Sequence, residues 1–234
     1  MVSALVALGA LVLAAGCSAS GGAGGVRMLP AERSAEIVYV ALGDSTVQGI
    51  GATSAAKNYV GRLDARLRER YPRSRTVNLG VAGATSYDVL EEQLERAVAL
   101  RPHLVTLSIG PNDITAKVPV KTYAENLEAI LGRLAADTDA VVVVNLLPDL
   151  AVTPRFRNRD KAPVVARLSA EFNDVVARAA KRHGALVVDV YGASRREVPG
   201  HPELLAADGY HPSDLGYARW AELMWEAVRT RLGS

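Results

Sequence analysis

The sequence predicts an α/β fold, a three-layer α/β/α sandwich around a five-stranded parallel sheet with flavodoxin-like strand order. Two observations lead to this prediction. Short apolar segments typical of buried strands alternate with longer segments of helical periodicity throughout residues 35–234. Residues 140–147 include four consecutive valines without alternating polar residues, as expected for a strand covered by helices on both faces. The composition shows no break inside residues 35–234, which favours one domain.

In the first half of the chain, each predicted strand is apolar and is followed by a glycine. These strands are residues 37–42, 76–79 and 104–109. The helix between the first two has apolar residues at helical spacing and is expected to end before Pro72. The next helix is expected to begin at Thr85 or Ser86, and Asp88 lies where a capping-box partner of Thr85 would be.

The second half continues the same alternation. Apolar residues at helical spacing predict helices around residues 123–134 and 165–179, and Gly184 is expected just beyond the end of the second. Strands are predicted at residues 140–147 and 185–190. A long connection with three prolines occupies residues 148–163, and Ser213 is expected to cap a final helix.

Composition excludes several classes of function. The formal net charge of +2 is too small to favour binding to nucleic acid. One cysteine and four scattered histidines do not form a metal-binding pattern, so no metal site of this kind is expected.

The amino-terminal segment indicates export. Residues 2–16 are almost all apolar or small, too short to span a membrane comfortably, and Cys17 follows them. This arrangement resembles a bacterial lipoprotein signal, in which the cysteine becomes the lipidated terminus; an ordinary secretory signal is the alternative. We therefore expect a signal peptide at residues 1–16, a flexible tether at 17–34 and the folded domain at 35–234. The location is then the cell envelope, with Cys17 as a membrane tether, or the exterior.

A serine follows the first strand directly. Ser45 lies where open α/β sheets place their ligands, at the carboxyl end of a buried strand. Its hydroxyl needs a base in order to act as a nucleophile. His211, in the loop before the final helix, can supply that base, and Asp208 three residues earlier can orient the imidazole. Asp149 is a weaker competitor for the same role.

A reaction at a carbonyl also needs donors for the oxyanion. The backbone N–H of Ser45, the backbone N–H of Gly83 and the side-chain amide of Asn112 are candidates, because all three follow predicted strands whose ends meet at one edge of the sheet. Asp44 and Asp113 are interpreted as groups that order their loops. Each short motif taken alone is also compatible with an ordinary turn or helix cap.

Taken together, four motifs resemble those of the SGNH hydrolases in the GDSL esterase and lipase superfamily. They are Gly-Asp-Ser at 43–45, Asn-x-Gly-x-x-Gly-x-Thr at 78–85, Gly-x-Asn-Asp at 110–113 and Asp-x-x-His-Pro at 208–212. Thr46 departs from the leucine of the namesake motif. The resemblance implies a triad of Ser45, Asp208 and His211, an oxyanion hole of Ser45, Gly83 and Asn112, and no cofactor.

The leading hypothesis is a serine esterase acting on small-molecule esters, with small or short acyl groups favoured. A non-catalytic binding module on the same fold is the alternative. A nucleotide-binding glycine motif around Gly49 and Gly51 is incomplete, and no Gly-x-Ser-x-Gly elbow of an α/β-hydrolase is present. Two interpretations of the loop at residues 149–163 stay open: a solvated basic loop, or one whose Arg155, Arg157 and Arg159 favour anionic substrates.

Overall fold

A computed structural model describes residues 26–157 and 160–233. Five parallel strands form one sheet in the order β2-β1-β3-β4-β5, which is the flavodoxin-like order predicted. The strands are β1 Val38–Gly43, β2 Arg75–Asn78, β3 Leu104–Ser108, β4 Val141–Asn145 and β5 Leu186–Val188. All of their carboxyl ends therefore lie at one edge.

Helices cover both faces of this sheet. They are α1 Ser45–Gln48, α2 Tyr59–Arg70, α3 Ser86–Asp88, α4 Leu94–Ala99, α5 Pro111–Thr115, α6 Val120–Asp137, α7 Ala162–His183, α8 Val190–Glu197 and α9 Asp214–Arg229. A π-helical turn, Val89–Gln93, joins α3 to α4. The capping box of Thr85 and Asp88, the left-handed Gly184 after α7 and the Ser213 cap of α9 all agree with the predictions.

The valine run in β4 divides between two hydrophobic cores. Val142 and Val144 pack with α6 and α7 on one face, whereas Val141 and Val143 pack with α2 and α9 on the other. Because successive side chains of a strand point to opposite faces, a sheet covered on both sides requires apolar residues at every position. This confirms the interpretation of residues 140–147 as a buried strand.

The observed strand ends differ from the predicted ones by one or two residues, and two differences from the sequence predictions have a clear structural cause. The fifth strand ends at Val188 and not at residue 190, because Asp189 caps a further helix, α8, by accepting the N–H of Gly192. Residues 26–34 of the predicted tether pack on the domain: Leu29 is buried, its N–H donates to the Arg231 carbonyl, and the Tyr71 hydroxyl donates to the carbonyl of Pro30. The predicted signal peptide and residues 17–25 of the tether lie outside the described residues.

In the described part of the chain, no helix combines the length and the apolar character needed to cross a membrane.

Candidate active site

The loop after β1 presents Ser45 as the first residue of α1. Gly43 has a φ of +141°, and a Cβ there would lie 1.9 Å from the carbonyl oxygen of Ser108 on β3, so only glycine lets the two strand ends meet. Asp44 then caps α1, since its Oδ1 accepts the N–H of Thr46 at 2.9 Å and the hydroxyl of Thr46 at 2.8 Å. These contacts fix the turn that positions Ser45.

The loop before α9 brings His211 to this serine. His211 Nε2 lies 2.9 Å from Ser45 Oγ, across 166 residues of sequence, and His211 Nδ1 lies 2.6 Å from Asp208 Oδ2. The structure thus brings together the three residues that the sequence analysis selected. Asp149, the competitor for Asp208, instead accepts the N–H of Ala151 and caps the turn after β4.

Asp208 forms hydrogen bonds both with the imidazole and with the backbone of its own loop. Its second oxygen, Oδ1, accepts the N–H groups of Tyr210 at 2.9 Å and His211 at 3.0 Å. Burial raises the pKa of Asp208, but the hydrogen bonds from the His211 side chain and from these two N–H groups outweigh burial and hold the pKa below its ordinary value. The carboxylate is therefore ionised at neutral pH and can accept a hydrogen bond from the Nδ1–H of the imidazole, which leaves Nε2 free to accept a proton from Ser45.

The three candidate oxyanion donors lie on loops that are tied to one another. The N–H of Val81 donates to the carbonyl of Gly43, and the N–H of Ala82 donates to the Gln48 side chain on α1. Asn112 Nδ2 donates to the carbonyl of Ala84, the neighbour of Gly83, at 2.9 Å. An amide carries two N–H bonds, so a second one remains for a ligand.

The backbone N–H groups of Ser45 and Gly83 are also available. Neither donates a hydrogen bond to another group within residues 26–157 and 160–233. Gly83 has a φ of +84°, and nothing lies within 4 Å of the position a Cβ would occupy, so a ligand can approach its backbone closely.

Asp113 stabilises the loop that contains Gly83 through hydrogen bonds to Ser86. It is fully buried, and its two oxygens accept the N–H of Ser86 at 3.0 and 3.1 Å while Oδ1 accepts the Ser86 hydroxyl at 2.6 Å. Asn126 completes this cluster by donating to the Ser86 hydroxyl. These bonds agree with the interpretation of Asp113 as a residue that orders the loop.

Gln93 is a residue at this site that the sequence analysis missed. Its buried side chain forms two hydrogen bonds with the backbone of Gly43, accepting the N–H at 2.8 Å and donating to the carbonyl at 2.9 Å. It lies in the π-helical turn, a local distortion that is frequent at functional sites. A polar residue inside an apolar helical stripe was the only signal in the sequence.

Comparisons with known proteins show the family to which this chain belongs. The family model described as the GDSL-like lipase/acylhydrolase family matches residues 41–219, more than half of the chain. The chain belongs to the GDSL-like lipase/acylhydrolase family. It is 31% identical to a GDSL-like esterase of Mycobacterium tuberculosis over 215 residues, covering 90% of this chain and 68% of the relative. It is 28% identical to an acetylxylan esterase of Geobacillus stearothermophilus over 204 residues, covering 81% and 91% of the two chains.

Solved structures of relatives share the fold of this GDSL-family chain. A structure described as an α/β hydrolase enzyme from the metagenome of Lake Arreo has a TM-score of 0.66 and 28% identity, covering 82% of this chain and 95% of its own. A lipase/acylhydrolase from Enterococcus faecalis has a TM-score of 0.68 and 25% identity, covering 84% and 97%. The resemblance to this family is thereby confirmed, and the protein is a carboxylic ester hydrolase.

A mostly apolar cavity of about 80 Å³ adjoins the loops that carry Ser45 and His211 in this GDSL-family esterase. It begins at Ser45 and His211 and extends between α8, α9 and the turn after β4. Its apolar lining includes Leu150, Val152, Val190, Ala193, Val198, Leu204, Leu205, Trp220 and Leu223.

Only the first residues of the basic loop, from Asp149 to Thr153, contribute to this cavity. Leu150, Val152 and Thr153 line it, whereas Arg155, Arg157 and Lys161 are exposed and do not. Arg155 instead lies 4.8 Å from the ring centroid of Tyr210, as a cation–π contact. Arg159 lies outside the described residues. The described contacts favour the interpretation as a solvated basic loop.

The other histidines have structural partners. His103 Nδ1 accepts the N–H of Val38, His183 contacts Glu128 at 2.6 Å, and His201 contacts Glu203 at 3.0 Å. Within the residues that the structure describes, no three His, Cys, Asp or Glu side chains are grouped to hold a metal ion.

Proposed function

We propose that the protein is a serine esterase in which Ser45 forms an acyl-enzyme with the help of His211 and Asp208. The observation that carries this proposal is the continuous hydrogen-bonded series from Ser45 Oγ through the imidazole to the Asp208 carboxylate, at 2.9 and 2.6 Å. Both distances are within the reach required for a nucleophile, its base and the group that orients the base.

In the first half-reaction, His211 Nε2 takes the hydroxyl proton as Ser45 Oγ attacks the carbonyl carbon of the ester. The negative charge that develops on the carbonyl oxygen is stabilised by the N–H groups of Ser45 and Gly83 and by the Asn112 amide. The carbon–oxygen bond to the alcohol then breaks, and His211 returns the proton to the departing alcohol oxygen.

In the second half-reaction, a water molecule replaces the alcohol. His211 takes a proton from this water as its oxygen attacks the acyl-enzyme, and the same donors stabilise the second oxyanion. The bond to Ser45 Oγ then breaks, the serine regains its proton from His211, and the carboxylic acid leaves. Asp208 keeps the imidazole oriented and stabilises its protonated form throughout.

For the substrate, we propose a range of ester classes and no single compound. The sequence favours small or short acyl groups, and the relative with 28% identity that is an acetylxylan esterase makes an acetyl ester the reference with which longer acyl groups are to be compared. A thioester or a lysophospholipid would pass through the same acyl-enzyme.

A fluorophosphonate probe tests the mechanism. We expect labelling at Ser45, its loss in Ser45→Ala and its weakening in His211→Ala. Ser54→Ala and His201→Ala are matched controls, because both residues are exposed and neither lines the cavity. A folded protein that resists labelling would instead support the non-catalytic binding module.

We also propose that the protein is exported and that Cys17 carries a lipid. Residues 1–17 support this through their sequence alone. Expression in a bacterial host with labelled palmitate should give labelled protein in the membrane fraction, and Cys17→Ser should abolish the label. Label that persists in Cys17→Ser would contradict lipidation, and a full-length product retained in the cytoplasm would contradict export.

A further inference from the structure

Two helices that do not belong to the catalytic motifs form one side of the cavity. From α8, the lining residues are Val190, Ala193, Ser194 and Glu197; from α9, they are Gly216, Arg219, Trp220 and Leu223. Both sets have the spacing i, i+3, i+4, i+7, which places each set along a single face of its helix. The lined stretch of α9 runs from Gly216 to Leu223, eight residues with a rise of about 10 Å along the helix, and begins beside the loop that carries His211.

Several polar side chains along this cavity already have protein partners, whereas the buried indole N–H of Trp220 has none in the described part of the chain. Arg219 Nε lies 2.9 Å from Glu197 Oε2, and Arg219 Nη2 lies 2.9 Å from Glu197 Oε1, so the pair joins α9 to α8. The Ser194 hydroxyl accepts the N–H of Asp149, and the Thr153 hydroxyl donates to the carbonyl of Leu150. The remaining wall is largely aliphatic, so the site favours an apolar group over a polar one.

The volume sets the size of that group. A cavity of about 80 Å³ holds roughly five to eight water-sized groups, at about 10–15 Å³ for each. A methylene group and a water molecule are of similar size. The cavity therefore fits an unbranched chain of about six carbons and is much larger than an acetyl methyl group requires.

We propose that this cavity holds the acyl chain of the ester and that the enzyme prefers acyl groups of four to eight carbons over acetyl. The inference rests on the proposed function, because it assigns the cavity to the group that Ser45 carries. The acyl chain stays on Ser45 through both half-reactions, whereas the alcohol must leave before water can attack. The cavity begins at Ser45, and neither Gly83 nor Asn112 lines it, so two of the three oxyanion donors lie apart from its wall.

The first experiment compares two ester series with the unmodified protein. In p-nitrophenyl esters with increasing acyl length, kcat/KM should rise about threefold to fourfold for each methylene buried, on the order of 10²-fold from acetyl to hexanoyl. It should fall beyond octanoyl, when the chain exceeds the cavity. In acetate esters with increasing alcohol length, the change should stay within a few-fold. A maximum at acetyl, or a rise confined to the alcohol series, would overturn the proposal.

The second experiment changes the cavity itself. Ala193→Leu should fill it and move the optimum to shorter chains, and Leu223→Ala should enlarge it and move the optimum about two carbons longer. Leu215→Ala is the matched control, since Leu215 lies on the same helix but is 58% exposed and does not line the cavity. An unchanged optimum in a folded Leu223→Ala variant would contradict the assignment even if Ala193→Leu did not fold.

Fluorophosphonate labelling distinguishes a failure of the acyl-cavity assignment from a failure of the proposed mechanism. If Ser45 is labelled in the unmodified protein but the chain-length preference is absent, the acyl-cavity assignment fails and the proposed mechanism stands. If Ser45 is not labelled in folded protein, the proposed mechanism fails, and the assignment that rests on it fails as well.

Discussion

Replacing Gln93 with leucine should slow ester hydrolysis by disturbing the turn that carries Ser45. The leucine would leave the buried N–H of Gly43 without its partner at 2.8 Å, whereas the Gly43 carbonyl would keep the N–H of Val81 at 3.1 Å. One buried unpaired N–H costs about 1–3 kcal/mol. For a protein of this size, each kcal/mol lowers Tm by about 2–4 °C.

Gln93→Leu should lower kcat by more than its loss of stability explains. A shift of Ser45 by a fraction of an ångström relative to His211 should lower kcat by about 10-fold to 10²-fold with little change in KM. Leu94→Ala is the control, because truncating this buried side chain on α4 should cost about 2–5 kcal/mol of stability and retains the Gln93 side chain. The two variants are compared by steady-state kinetics at a temperature below the Tm of each.

A conservative variant sharpens the same test. In Gln93→Glu, an ionised carboxylate would face the Gly43 carbonyl, whereas the protonated acid would donate to that carbonyl and accept the N–H as glutamine does. Because burial raises the pKa of such a carboxyl group, the ratio of variant to parent kcat should recover as the pH falls toward about 5. If Gln93→Leu loses stability but keeps its kcat, Gln93 does not position Ser45 and the reasoning is refuted.

Three further predictions concern the predicted catalytic groups and their support. Asn112→Ala should lower kcat by about 10²–10³-fold with KM nearly unchanged, and unchanged turnover would remove Asn112 from the oxyanion hole. Asp208→Asn should lower kcat on the order of 10²–10⁴-fold because it no longer stabilises protonated His211; a loss seen only in KM would contradict this role. Burial raises the pKa of Asp44 to about 6 despite its hydrogen bonds from Thr46. The folded state therefore binds this proton more tightly than the unfolded state, and the free energy of unfolding falls as the pH rises from about 4 through 6. Asp44→Asn should remove this loss. In urea unfolding, the change that this substitution makes in the free energy of unfolding should be about 3 kcal/mol more stabilising at pH 8 than at pH 4. Equal changes at both pH values would show that Asp44 does not titrate this way.

The sequence predicted the centre of the sheet well because β1, β3 and β4 are buried on both faces. The valines of β4 form an apolar run without polar residues between them, which is easy to recognise in the sequence. They are buried on both faces because helices cover both sides of the sheet. The motif residues were also predictable, since parallel strands place Ser45 and Asn112 at one edge whatever the detailed packing.

Long-range packing explains what the sequence did not predict. Helix α8 contains Gly192 and two consecutive arginines, so its short apolar stripe of Val190 and Ala193 did not stand out, and the cavity it forms with α9 depends on two helices meeting. Leu29 is one buried residue in a segment that otherwise has the composition of a linker. The partner that gives Gln93 its role, Gly43, is 50 residues away.

The most direct test of the central claim is to isolate the acyl-enzyme. Mixing the protein with excess p-nitrophenyl hexanoate, stopping with acid within milliseconds to seconds and analysing the peptides by mass spectrometry should locate a hexanoyl group on Ser45. The adduct should be absent in Ser45→Ala and should form more slowly in His211→Ala. Hydrolysis at an undiminished rate in Ser45→Ala, or a hexanoyl group carried by another residue during turnover, would contradict the account.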